Sequence, residues 1–91
     1  MTFSLIIALQ AKKELFTLDK ENYLRCMASL SLLEKNPYPG FGGDKEKLQG
    51  NTNRYRIHIG RSYSAIYQID KEKKLVSILA FGTIGDIHKH Y

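Results

Sequence analysis

The sequence predicts a single α+β domain in the order β-α-α-β-β-β, an antiparallel twisted sheet with a two-helix hairpin packed on one side. Three observations carry this prediction. Apolar residues recur at spacings of three and four in the N-terminal half and at every second position from Arg54 onward, the periodicities of a helix and of a half-buried strand. A cluster of turn residues, Pro37-Tyr38-Pro39-Gly40-Phe41-Gly42-Gly43, separates the two regimes, because proline and glycine interrupt both kinds of regular structure. A chain of 91 residues is long enough for one hydrophobic core and too short for two ordinary domains. Residues 1–91 are therefore read as one domain.

Each element follows from local chemistry. Phe3-Ser4-Leu5-Ile6-Ile7 is short and rich in strand formers, which predicts a first strand. Ala8, Ala11, Leu15 and Leu18 share one face of a helix whose other side carries Lys12, Lys13 and Glu14. Asp19 is placed to cap a second helix, with Leu18 and Tyr23 positioned as a hydrophobic staple. That helix turns Tyr23, Met27, Leu30 and Leu33 inward and is expected to stop at Asn36, because Pro37 disfavours helical backbone in the residue before it. In the second half, Tyr55, Ile57 and Ile59 alternate with Arg56 and His58. Gly60-Arg61-Ser62 then makes a tight turn into Tyr63-Ile69, where Tyr63, Ala65, Tyr67 and Ile69 share a face. Asp70-Lys71-Glu72-Lys73 forms the next turn, and Leu75-Phe81 is apolar on both faces, the pattern of a central strand. Tyr55, Tyr63 and Tyr67 are read as core.

Composition narrows the function classes. The longest apolar run, Leu5 to Leu9, is far shorter than the ~18 residues a membrane span needs. Met1-Thr2-Phe3 lacks the basic start of a signal peptide, so a cytoplasmic location without membrane attachment is expected. Cys26, alone in the chain and set among Leu24, Met27 and Leu30, reads as a small buried hydrophobe. His88 and His90, two residues apart, make a poor metal site on their own, and neither metal nor cofactor is expected. The net charge of +5 is uneven: residues 1–47 hold seven Lys/Arg against six Asp/Glu, residues 48–91 seven against three. No acidic residue occurs between Leu48 and Ile69, where Arg54, Arg56, His58 and Arg61 fall. Such a surface suits phosphates, which points to nucleic acid.

Three segments then carry a resemblance. They are Lys47-Leu48-Gln49-Gly50 before the sheet, Tyr55-Arg56-Ile57-His58-Ile59-Gly60 on the first meander strand, and Tyr63-Ser64-Ala65-Ile66-Tyr67-Gln68-Ile69-Asp70 followed by Val76-Ser77-Ile78 and the ending Gly82 to His88. Their order and spacing, together with the helical hairpin, resemble the RelE/ParE toxin superfamily over nearly the whole chain. The resemblance implies a toxin of a type II toxin–antitoxin system. Its nuclease members are ribosome-dependent mRNA endonucleases that cleave message in the ribosomal A site by attack of a 2′-hydroxyl on the adjacent phosphate, without a metal. That chemistry needs a base, a cationic site for the phosphate and an acid for the leaving oxygen.

Carried over residue by residue, the resemblance implies Arg56 and His58 as catalytic or phosphate-binding groups. His88 stands at the spacing of the family's terminal tyrosine, and histidine, with an ordinary pKa of ~6.5, transfers protons near neutral pH. Arg54, Arg61, Lys89, His90 and Tyr91 complete the RNA-binding set. Two family arginines are absent: Ser64 follows Tyr63, and Thr83-Ile84 follows Gly82. This departure leaves two alternatives open, a non-catalytic ParE-like toxin that blocks a protein such as gyrase, or a homologue that has lost activity. The partners implied are mRNA, the ribosome and a RelB-like antitoxin, acidic and partly disordered, that wraps the sheet and hairpin.

Overall fold

The structure, a computed structural model, describes residues 2–40, 43–50 and 53–90, without the side chains of 88–90. Strand β1 (Ser4–Ile7) leads into helices α1 (Leu9–Leu15) and α2 (Lys20–Ser31), closed by a single 3-10 turn at Leu32–Glu34. Strands β2 (Lys45–Lys47), β3 (Arg54–Ile59), β4 (Tyr63–Asp70) and β5 (Leu75–Thr83) follow, and helix α3 (Ile84–His90) ends the described chain. The sheet order is β1-β5-β4-β3-β2. The expected helical hairpin and three-strand meander are both present.

The sheet is mixed rather than purely antiparallel, because β1 runs parallel to β5, pairing Ser4 with Leu75 and Ile7 with Ile78. Pairing between the two ends of the chain is a tertiary event that local periodicity does not encode. Two further elements exceed the expected set. Lys45–Lys47 pairs with Tyr55–Ile57 of β3, although three charged residues show no apolar alternation; a short charged strand is the usual way a sheet edge is finished. The chain after Gly82 is helical. The Thr83 hydroxyl accepts the backbone N–H of Asp86 at 3.3 Å, an N-capping arrangement that the Thr-x-x-Asp spacing announces.

Periodicity is borne out closely on the main core face. Ala11 and Leu15 of α1, Cys26 and Leu30 of α2, and Leu33 just beyond are fully buried. They pack with Tyr55, Ile57 and Ile59 of β3 and with Ala65, Tyr67 and Ile69 of β4. Each large aliphatic side chain so buried contributes about 1.5–3 kcal/mol. Both helices are shorter than expected. Asp19 has the extended backbone of a cap, but its carboxylate accepts a hydrogen bond from Asn22 Nδ2 at 2.6 Å rather than from the helix backbone. Leu18 and Tyr23 both pack on the main core, and the Phe16 ring lies against Tyr23, with centroids 6.1 Å apart.

Strand β5 carries the one irregularity in the meander. Ile66 pairs with Ala80 while Tyr67 pairs with Ile78, so Leu79 is the extra residue of a β-bulge. The bulge inverts the alternation. Val76 and Ile78 face the main core before it, and Phe81 does so after it, while Ala80 turns to the other face. There Ala80, Ile66 and Ile87 of α3 form a second, smaller cluster, with Leu48 and Leu79 against it. This is the physical basis of a strand apolar on both faces.

The segment after the helices is held down by aromatics. Phe3, Tyr38, Tyr55 and Tyr67 form a continuous ladder, edge-on at 6.1 and 6.4 Å and stacked at 5.5 Å, and the Tyr67 hydroxyl donates to the buried carbonyl of Pro37 at 2.6 Å. Burial, with the charges of Tyr55 and Asp44 adding to it, pushes the Tyr67 phenol well above its usual range. Tyr67→Phe leaves that carbonyl without its donor and should cost about 1–3 kcal/mol, read as a lower denaturation midpoint in urea. Because the folded-state pKa is raised, the contribution is present in full below the ordinary phenol pKa of ~10 and lost as pH rises through the folded value. The wild-type protein should therefore lose more stability than Tyr67→Phe on going from neutral to strongly alkaline solution; equal losses would mean that Tyr67 ionises as an exposed tyrosine does.

Candidate nucleic-acid interface

Strand alternation turns Arg54, Arg56 and His58 of β3 away from the main core, onto the face that α3 crosses. Their cross-strand neighbours define three rows. His58 stands opposite Ser64, which stands opposite Gly82; Arg56 opposite Ile66 and then Ala80; Arg54 opposite Gln68 and then Ser77. Ile87 of α3 packs on Ile66 and Ala80, so the helix lies across the middle of this face and the Arg54 row borders it as a polar strip.

The cations here are less exposed than a bare basic surface requires. The Arg56 side chain is 13% exposed, and its Nε and Nη2 groups both donate to Glu46 Oε1, the former at 2.8 Å. Glu46 is the β2 residue directly opposite Arg56, so the edge strand itself supplies the counter-charge. His58 is half-buried, with its Nε2 atom sequestered from solvent, and its backbone N–H donates to the Asp44 carbonyl at 2.8 Å. Arg54 is half-buried. Arg61 is exposed at the β3–β4 turn. That turn meets the start of α3, where the Ile84 N–H donates to the Ser62 carbonyl at 2.9 Å, so Arg61 flanks the same end of the face.

The C-terminal candidates join this face through their helix. His88, Lys89 and His90 belong to α3, directly after the Ile87 anchor; their side chains, and Tyr91 altogether, lie outside the described residues. Where the family arginines are expected the chain has Ser64 and Ile84. Ser64 is fully buried, its hydroxyl donating to the Ile57 carbonyl at 3.1 Å. A methyl group on the neighbouring Gly82 would stand 3.7 Å from Ile87, an ordinary van der Waals contact. Ile84 opens α3.

Glu46 is the residue that sequence reasoning missed. Its only signal is a charged Lys-Glu-Lys triplet, and the pairing that brings it to Arg56 is made across a sheet edge. Among the described residues no three His, Cys, Asp or Glu side chains gather in the manner of a metal site, and no helix is long and apolar enough to cross a membrane.

The family model described as the ParE toxin of the type II toxin–antitoxin system, parDE, matches residues 5–85. Among solved structures, the fold is similar to a chain of the archaeal RelE–RelB complex from Pyrococcus horikoshii OT3, with 32% identity over 93% of this chain and 98% of that one and a TM-score of 0.78. It is similar in fold to a mutant of E. coli toxin RelE in the free state, at 23% identity over 99% of this chain and 92% of that one, TM-score 0.78. It is likewise similar to YoeB from the Staphylococcus aureus dimer, at 19% identity over 90% and 97%, TM-score 0.71. No curated protein matches the chain in sequence.

The Arg56–Glu46 pair is half sheltered, with Glu46 49% exposed, so solvent screening limits its strength. A double-mutant cycle of Arg56→Ala and Glu46→Ala in urea denaturation should give a coupling of about 1 kcal/mol, at the upper end for surface pairs and well below a buried one. A coupling near zero would show that β2 is held by its backbone alone.

Proposed function

The chain belongs to the RelE/ParE superfamily of type II toxin–antitoxin toxins, and from that premise we propose that it is a metal-independent endoribonuclease that cleaves mRNA in the ribosomal A site and so arrests translation. The observation that carries this reading is the convergence of the cationic strand row Arg54, Arg56 and His58 with the helix bearing His88, Lys89 and His90 on one face of the sheet.

In the proposed reaction the 2′-oxygen bonds to the adjacent phosphorus and the bond to the 5′-oxygen breaks, giving a 2′,3′-cyclic phosphate and a 5′-hydroxyl. Arg54 and Arg56 meet the charge that builds on the phosphate oxygens. An incoming phosphate competes with Glu46 for the Arg56 guanidinium, a planar fork suited to either anion. The carboxylate it displaces is a proton acceptor at the same place, beside His58. His88 is the principal proton-transfer residue, and Arg61, Lys89, His90 and Tyr91 bind the flanking RNA. A cytoplasmic site of action and a RelB-like antitoxin follow from this reading; the archaeal relative at 32% identity is found in complex with RelB.

A second reading has a specific observation behind it. With Ser64 buried and Ile84 opening α3 where family arginines are expected, the chain fits a non-catalytic toxin that blocks a protein target such as gyrase, or one whose nuclease activity is gone. Primer extension on mRNA from expressing cells separates the readings, since only the nuclease leaves discrete ends at codon positions.

Two outcomes are expected of the nuclease. His88→Ala should lower the single-turnover cleavage rate on programmed ribosomes by about 10²–10⁴, the usual contribution of a general acid or base; an unchanged rate removes His88 from the mechanism. The triple variant Arg56→Ala, His58→Ala, Arg61→Ala should bind single-stranded RNA more weakly and with a flatter dependence on salt, by about 0.7 in log–log slope for each phosphate that the protein no longer neutralises. Unaltered affinity and slope would move the RNA to another surface.

A further inference from the structure

Helix α2 is apolar on two opposite sides. Cys26 and Leu30 are fully buried against the sheet, with Tyr23 and Met27 packed beside them. Each of Cys26 and Leu30 is two residues from Ala28, about half a turn of helix, so Ala28 looks directly away from the core and is exposed. Leu24 and Leu32, one turn before it and one turn after, are 54% and 62% exposed. An amphipathic helix ordinarily keeps charged and polar residues on that side. Here Leu24, Ala28 and Leu32 are neighbours four residues apart and make one outward stripe, bordered by the exposed Ser31.

Single exposed leucines need no explanation, but a row of them along one helix marks a contact surface. The charges at its ends identify the occupant. Glu21 lies seven residues before Ala28 and Lys35 seven residues after, both exposed. Seven residues are about two turns, and the backbone stays right-handed helical as far as Lys35, so both stand on the stripe's side. Read from either end, the stripe is therefore its own complement. A second copy laid antiparallel, with a two-fold axis at Ala28, sets residues equally far before and after Ala28 against each other. Leu24 then meets the partner's Leu32, and Glu21 meets the partner's Lys35, each pairing occurring twice. Arg25, which pairs with Glu21 at 3.5 Å along its own helix, faces the partner's Ser31 and so meets no like charge. A methyl group at the crossing point lets the helix axes approach to about 8 Å, the short end of helix packing distances.

We propose that the outer face of α2 is a self-association surface, on which a second copy of this chain packs its own α2 antiparallel across Ala28. Two helices alone bury less than the ~1,200 Å² that separates weak from stable complexes, so the dimer is weak and exchanges with monomer. α2 and α3 lie on opposite faces of the sheet, which leaves the cationic face of each copy pointing outward and open. Whether the chain cuts RNA has no bearing on this pairing.

Sedimentation equilibrium of the intact protein from about 1 μM to about 1 mM spans the affinities such a contact reaches. The wild type should pass from monomer to dimer and stop there, as a closed two-fold requires. Ala28→Arg, a substitution on the exposed side, should raise the dissociation constant about tenfold or more. Glu21→Lys and Lys35→Glu should each weaken the dimer, and the double reversal Glu21→Lys, Lys35→Glu should restore it. The double reversal leaves the net charge unchanged, so recovery reads the specific pair, and it carries the test by itself if Ala28→Arg does not fold. A protein that remains monomeric up to millimolar concentration overturns the proposal, and the stripe then belongs to a different partner. Association that continues past two copies overturns it, as does a dimer indifferent to Ala28→Arg or a double reversal no tighter than the single ones.

Discussion

Strand β5 must be buried on both faces, and most of the architecture answers to that requirement. Val76, Ile78 and Phe81 need the helical hairpin above them, while Ala80 needs cover from the opposite side. A sheet with helices on one face alone would leave Ile66 and Ala80 in water. The bulge at Leu79 divides the strand's side chains between the two faces, and Ile87 closes the smaller cluster. α3 is thus a packing element before it is a functional one, and the residues that follow Ile87 come to the sheet because Ile87 is anchored there.

The same arrangement sets the electrostatics of the site. On the β3 side of the apolar cluster, Arg56 lies in partial shelter with Glu46 as its counter-charge. A sheltered, paired guanidinium is held in one geometry and loses little freedom when a phosphate replaces the carboxylate. It contributes less to long-range attraction than an exposed arginine, a part left to Arg61 at the turn. In the neighbouring row Ser64 is fully buried and contributes no cation.

The residues alone determined what depends on periodicity and local chemistry. Alternation in Tyr55–Ile59 and Tyr63–Ile69 assigned the inward tyrosines and isoleucines and put Arg56 and His58 on one face. Three-and-four spacing found Ala11, Leu15, Leu30 and Leu33, and the lone Cys26 was recognised as core. The spacing of the closing segments pointed to the family. Tertiary structure decided what depends on partners distant in the chain: the parallel docking of β1, the charged strand β2 with Glu46 against Arg56, and the inversion at Leu79. The physical reason is common to these. Periodicity reports which side of an element avoids water, but it holds no information about which edge meets which, and a charged triplet or a one-residue bulge acquires its meaning only from the strand beside it. The helix after Gly82 was not among the elements read from the residues, and its place against the sheet was decided by Ile87 finding Ile66 and Ala80.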